Sequence, residues 1–268
     1  MSLLDSHCHL DRFFRDGALD GALDRAQVAG VDRVVAIGTE PEDWALYREL
    51  AAARPETIAY SVGLHPNEVE ENWEKNVAGL ENYLAGGHAA VAVGEIGLDY
   101  FRLPKDETEA APRKALQKAA FACQLDMAKR AGLPVVIHCR TAFGDCLRMI
   151  DESGVDWNKV IFHCFSEGPE EIRRLRERGG RASFTGIITY GNAENVRQAA
   201  LAQGMDALIL ETDCPYLSPE PHRGKPNEPA HLFYTAKFCA DLFETDLEAL
   251  ACLTTRNAEA FYGLNQGS

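Results

Sequence analysis

Residues 3–11 read LLDSHCHLD, and how that stretch is taken decides how the rest of the chain is read. A short apolar start followed by alternating residue types has the period of a β-strand. Successive strand side chains point to opposite faces, so His7 and His9 share one face, roughly 6–7 Å apart along the strand. Two imidazoles so placed can grip one metal ion. By itself, though, a His-x-His is as much a surface or hydrogen-bonded core feature as a ligand pair. Its weight depends on whether ligand-type residues recur at equivalent positions elsewhere.

Seven further β-branched or apolar runs follow: VDRVVAIG (31–38), TIAYSVGLHP (57–66), AAVAVGEIG (89–97), LPVVIHCR (133–140), KVIFHCF (159–165), RASFTGI (181–187) and ALILETDCP (207–215). Between them lie helical stripes, with Leu19, Ala22, Leu23 and Ala26 at i, i+3, i+4 and i+7. Trp73, Val77, Leu80 and Leu84 make a second stripe, and Leu116, Ala120, Cys123 and Met127 a third. Glycines in AGVD, RAGLP and ERGGR fit helix ends before buried strands. Near-continuous apolar strands are buried on both faces and hence parallel, with helices covering them. Eight such units without a linker or composition shift predict an α/β fold, a (β/α)8 TIM-like barrel forming one domain over residues 1–268, with its chemistry at the carboxyl ends of the strands. A doubly wound open sheet is the rival architecture.

On the barrel reading, strand one ends in His7 and His9, strand four in Glu95, strand five in His138, strand six in His163 and strand eight in Asp213. Four histidines and two carboxylates exceed what one tetrahedral ion takes, and they suit two divalent ions sharing a bridging carboxylate. Asp5 and Glu211 each precede a ligand by two residues. They are expected to sit beneath the site and accept a ligating imidazole N–H, fixing its tautomer. The alternative for both is a bond to neighbouring backbone or to a lysine.

Composition narrows the field. Apolar residues make up 46% of 268, ample for a full core, and no run of about eighteen apolar residues suggests a membrane span. The start MSLLDSHCHL has no basic region before an apolar run, and the eight cysteines show no paired spacing. A reduced, cytoplasmic protein is expected, with Cys8, Cys139, Cys164 and Cys214 as small buried apolar residues. The formal charge of −14 disfavours long electrostatic tracking along duplex nucleic acid. RRLRER (173–178) reads as a solvated helix face.

The motifs DSHCHLD, VGLHP, GEIGLDY, the Gln117, Phe121 and Gln124 helix before LPVVIHCR, then HCFS, ETDCPYLSP, RGKPNEP and Asn257 resemble those of the TatD family of metal-dependent deoxyribonucleases, within the amidohydrolase-like barrels. The resemblance implies one cation on His7, His9, Glu95 and Asp213 and a second on Glu95, His138 and His163. It implies metal-assisted cleavage of a phosphodiester at a DNA end, with Asp213 orienting the attacking water and taking its proton, and with Glu95 and Asp213 as the catalytic carboxylates. His65, Arg140, Arg223, Lys225 and Asn227 are then expected to meet phosphate, and Tyr100 to stack on a base or pack at the rim. Mg or Mn would serve in the cell, with Zn, Ni or Fe taken up on purification. The expected partner is a nucleic-acid end or another phosphate- or ester-containing substrate, without an obligate protein partner. Two positions depart from the family pattern, Thr141 where an acidic residue is usual and Glu167 inserted before Gly168, and they leave substrate preference open. The rival functions are a small-molecule amide, ester or lactone hydrolase, an aminoacyl-tRNA-type deacylase, and a binding module without catalysis.

Overall fold

A computed structural model describes residues 1–264. The described chain runs through β1 (Leu3–Cys8), α1 (Asp11–Arg15), α2 (Leu19–Val28), β2 (Val31–Ala36), α3 (Pro41–Ala53), β3 (Ile58–Val62), α4 (Trp73–Ala78), β4 (Ala92–Asp99) and α5 (Glu107–Ala131). It continues through β5 (Val135–Arg140), α6 (Phe143–Ser153), β6 (Val160–Phe162), α7 (Pro169–Arg178), β7 (Arg181–Phe184), α8 (Glu194–Gln203), β8 (Ile209–Leu210), α9 (Leu232–Leu242) and α10 (Leu247–Tyr262). The strands follow one another in sequential order, β1 to β8. Eight parallel strands with helices between them are the (β/α)8 fold class that the hydrophobic runs predict.

Packing divides the chain into two compact units, one of Met1–Ala36, Arg54–Ala59 and the chain from His163 on, the other of Ile37–Ala53 and Tyr60–Phe162. In the first unit β1 pairs with β2 and β7 with β8. Its core takes Leu3, Val34, Val35, Ile172, Leu175, Phe184 and Leu250, each side chain stabilising the fold by about 1.5–3 kcal/mol through burial. Helix α10 is tied to β1 by polar bonds as well: the Leu4 amide donates to Thr255 Oγ1, and the Tyr262 hydroxyl donates to the Ser6 carbonyl. In the second unit β4 pairs with β5 and β5 with β6. Trp44, Tyr47, Phe121, Leu125, Ile150 and Phe162 fill its core, and the Trp44 indole donates to the Gly63 carbonyl.

Three expectations need correction. The stripe Trp73–Leu84 is not one helix: α4 stops at Ala78, and Gly79–Tyr83 tightens into a 3₁₀ turn. On α5 the buried face is Gln117, Ala120, Phe121, Gln124, Leu125, Met127 and Ala128, so Ala120 and Met127 of the expected stripe are buried whereas Cys123 is exposed. Two buried glutamines that bond backbone hide that face from a purely apolar pattern. Finally, β6 and β8 are shorter than their runs, so His163, Glu211 and Asp213 stand beyond the last strand residue. Cys164 and Asp213 have positive φ, 46° and 53°, which ends extended pairing at both places.

Candidate metal centre

In the first unit the donors are placed by a short backbone ladder. The Asp213 amide donates to the His7 carbonyl and the His9 amide to the Cys214 carbonyl, both at 2.9 Å. This holds the β1 end against the segment after β8 and faces Asp213 Oδ1 with His9 Nε2 at 3.4 Å and His7 Nε2 at 3.7 Å. The His163 ring stacks on His7 with centroids 4.0 Å apart. Burial pulls the Asp213 carboxyl up, but the bond from His9 and the fields of His7 and His163 outweigh it, leaving the group below the ordinary carboxylate range.

The two carboxylates beneath these donors behave differently. Glu211 Oε1 accepts from the Cys164 amide at 2.7 Å and lies 3.4 Å from His163 Nδ1. Its Oε2 accepts from the Ser183 hydroxyl. It therefore touches a ligand imidazole while anchoring the turn that carries it. Asp5 takes the backbone alternative: Oδ1 accepts from the amides of Thr212 (2.9 Å) and His7 (3.3 Å), and Oδ2 from the Thr212 hydroxyl at 2.6 Å.

In the second unit Glu95 and His138 leave adjacent strands, and Glu95 Oε1 lies 2.6 Å from His138 Nδ1. Gly97 stands opposite His138 in the β4–β5 register, at φ 143°, and a Cβ there would run into the His138 carbonyl oxygen. Only glycine lets the strands approach this closely. His65 joins from the loop after β3, its Nε2 3.5 Å from Glu95 Oε1 and its ring edge-on to His138 at 4.4 Å. Its Nδ1 accepts the Asn67 amide, so the neutral ring carries its hydrogen on Nε2, facing Glu95. Gln124 sets that loop by bonding both the amide and the carbonyl of Leu64, at 2.7 and 3.2 Å.

From sequence, Asp99 reads as a cap of the following turn or a substrate contact; the structure shows the cap and adds a contact to His138. Asp99 is 1% exposed, with Oδ2 3.3 Å from His138 Nε2, while Oδ1 accepts the amides of Phe101 and Arg102. Burial pulls its carboxyl up, but the His138 bond, with those from the Arg102 amide and Asn67, holds it down at about 2. The signal is in GEIGLD: Glu95 and Asp99 at i and i+4 on one strand flank Gly97, which stands opposite His138.

The residues expected to meet phosphate divide. Arg140 is exposed at the end of β5, its guanidinium 3.9 Å above the Phe101 ring. Arg223 lies 4.1 Å over Tyr190 with Glu220 at 3.9 Å, and the Lys225 carbonyl accepts from Ser218. Asn227 is buried. Its amide donates to the Thr212 and Tyr216 carbonyls and its oxygen accepts from the Glu228 amide, so the side chain clamps its own loop. Tyr100 is pinned at the rim, donating to Asp145 at 2.6 Å. All eight cysteines are free thiols; Cys8 and Cys214 are buried, whereas Cys139 and Cys164 are half-buried rather than fully packed. His88 is exposed, and His222 stacks on His231.

Imidazole nitrogens with carboxylate oxygens fit divalent cations from Mg²⁺ and Mn²⁺ to Zn²⁺ and Ni²⁺. His65, Glu95 and His138 each offer an atom within 4.8 Å of the others, as do His7, His163 and Glu211. Two electron-pair donors as close as Glu95 Oε1 and His138 Nδ1 need a proton or a cation between them. Among the described residues no helix is long and apolar enough to cross a membrane.

Fold and donor sets define a metal-dependent hydrolase of the (β/α)8 class. The family profile described as TatD related DNase matches residues 4–263, and the chain belongs to that family. It is 33% identical to YabD of Bacillus subtilis, an uncharacterized metal-dependent hydrolase, over 98% of this chain and 100% of that one. YcfH of Escherichia coli K12, with the same description, is 35% identical over 96% and 94%. Among solved structures, the TatD homologue YJJV of Escherichia coli K12 superposes with a TM-score of 0.89 at 28% identity, covering 98% of each chain.

Proposed function

We propose that this hydrolase cleaves phosphodiester bonds, acting on ends of single-stranded DNA. The observation that carries the reading is Arg140. In a chain of net charge −14 most arginines have a carboxylate neighbour, yet among the described residues none pairs with Arg140, whose guanidinium carbon lies 3.9 Å over the Phe101 ring, two residues beyond His138. A guanidinium kept unpaired, with its face on an aromatic ring and its edge open, suits a substrate phosphate. A neutral amide or lactone would leave it without a counter-charge.

Cations held by His7, His9 and Asp213 in one unit, and by Glu95 and His138 in the other, would lower the pKa of water from about 15.7 toward 7 and polarise the phosphoryl oxygen. Asp213, kept ionised, accepts the proton of the attacking water and orients it. Arg140 binds a non-bridging oxygen, and the Nε2–H of His65 donates to the substrate or to Glu95. Glu211 keeps His163 in place from beneath. The exposed Tyr216, edge-on to His9, offers a surface for a terminal base.

The test is a substrate screen with Mn²⁺ and Mg²⁺ over single-stranded and duplex oligonucleotides, bis(p-nitrophenyl) phosphate, carboxylic esters and lactones. Oligonucleotide cleavage is expected, abolished in His138→Ala, with KM raised about tenfold or more in Arg140→Gln. Turnover of esters or lactones with phosphodiesters untouched refutes it and favours the small-molecule reading.

A further inference from the structure

His138 leaves β5 with each ring nitrogen facing a different carboxylate, Nδ1 toward Glu95 at 2.6 Å and Nε2 toward Asp99 at 3.3 Å. We propose that Asp99 is a positioning residue for His138: by accepting the Nε2 hydrogen it holds the imidazole in the tautomer whose Nδ1 lone pair faces Glu95, where a cation is gripped. The inference rests on the metal-dependent reading of the site and adds to it the group that decides which nitrogen is available.

The geometry around Asp99 makes it fit for this. Glu95 and Asp99 flank Gly97 on β4, and the register sets Gly97 opposite His138. The missing Cβ lets the His138 backbone lie against Gly97, and the imidazole has a carboxylate facing each ring nitrogen. Asp99 itself cannot swing away. Its amide donates to Gln117 Oε1 and its carbonyl accepts from Gln117 Nε2. Oδ1 is committed to the amides of Phe101 and Arg102. That leaves Oδ2 for His138, with Asn67 Nδ2 at 3.3 Å and Arg102 Nε at 3.9 Å as further neighbours. A turn cap alone would need only Oδ1. Carboxylates that fix a metal-binding histidine in this way typically raise metal affinity 10–100-fold.

Asp99→Asn separates the two roles. The asparagine oxygen still caps Phe101 and Arg102, so the fold is kept. The atom facing His138 becomes an amide nitrogen, which donates and cannot accept. The ring must then carry its hydrogen on Nδ1, the side turned to Glu95. Manganese affinity, read from the electron paramagnetic resonance of free Mn²⁺, is expected to fall 10–100-fold while the melting temperature stays within a few degrees of wild type. In ¹⁵N-histidine spectra of the zinc-loaded protein, wild type shows His138 protonated at Nε2, and Asp99→Asn loses that signal. Asp99→Glu keeps an acceptor and recovers part of the affinity, which guards against a variant that fails to fold.

Wild-type affinity in Asp99→Asn, or an unchanged Nε2–H signal, overturns the assignment. So does an affinity loss matched by an equal loss of stability and not relieved in Asp99→Glu. Wild-type protein that binds no divalent cation removes the metal centre itself. Wild type that binds normally beside an unaffected Asp99→Asn removes the Asp99 role alone.

Discussion

Replacing Asp5 by asparagine should stabilise the cation-free protein, and increasingly so as pH rises. Asp5 is fully buried, and burial, with a smaller push from Glu211, raises its carboxyl from 3.8 to about 7 despite three hydrogen bonds. The sign follows from proton linkage: a folded value above the unfolded one means the native state holds a proton that the unfolded chain has released. The stability is therefore fully present below about pH 4, declines between there and about pH 7, and is flat above. Roughly three units at about 1.36 kcal/mol each put the loss near 4 kcal/mol. Asparagine keeps the shape without the charge, its oxygen accepting from the Thr212 and His7 amides, while the Thr212 hydroxyl loses its acceptor, a pH-independent cost that cancels in the comparison between two pH values. Urea unfolding of chelator-treated wild type and Asp5→Asn, at about pH 5 and about pH 8, reads the difference. The gap in ΔG should widen by about 3 kcal/mol between the two, because other titrating groups are shared and cancel. A gap that does not change with pH, or an Asp5→Asn protein less stable at pH 8, refutes the reasoning.

Two further outcomes follow from burial. Gln124→Ala strands the Leu64 amide and carbonyl, each costing about 1–3 kcal/mol when left without a partner. Urea titration should show a loss of about 2–5 kcal/mol, and a loss under 1 kcal/mol would mean water replaces the glutamine. Of the eight thiols, only Cys123 and Cys252 are exposed, so Ellman's reagent should label those two quickly in native protein and all eight in guanidinium; rapid labelling of Cys8 or Cys214 would contradict the packing of β1.

Periodicity carries far where a strand is long and bonded on both sides. The run LPVVIHCR becomes β5 almost in full, and His138 and Arg140 fall where alternation puts them. It carries less far at the eighth strand, which ends at Leu210. Counting residues in twos from Asp213 back to Glu211 treats as strand a segment that turns at φ 53°, and tertiary bonds from His7 and Asp5 set those positions instead. The third helical stripe holds at Ala120 and Met127 but misses most of the buried face, for a chemical reason. Gln117 and Gln124 are buried because their carboxamides meet backbone, a gain that no hydrophobicity pattern registers. The same reason hides the placement of His65 beside Glu95 and of Asp99 beside His138, since each is set by a loop or turn whose course depends on those glutamines.

That dependence explains how donor groups can sit beyond the ends of strands at all. Past the last ladder bond, buried amides and carbonyls have no sheet partner and must find others. Here carboxylates supply some, Asp5 for Thr212, Glu211 for Cys164 and Asp99 for Phe101 and Arg102, and uncharged carboxamides supply others. Gln124 serves Leu64, Gln117 serves Asp99, and Asn227 serves Thr212 and Tyr216. A lysine or aspartate could make some of the same bonds, but a buried charge there would need its own compensation. A cation would compete with the divalent ions, and an extra carboxylate would compete with Glu95 and Asp213 for them. Where the partner is a neutral amide, as at Leu64, Thr212 and Tyr216, the irregular backbone is held without altering the field at the donors.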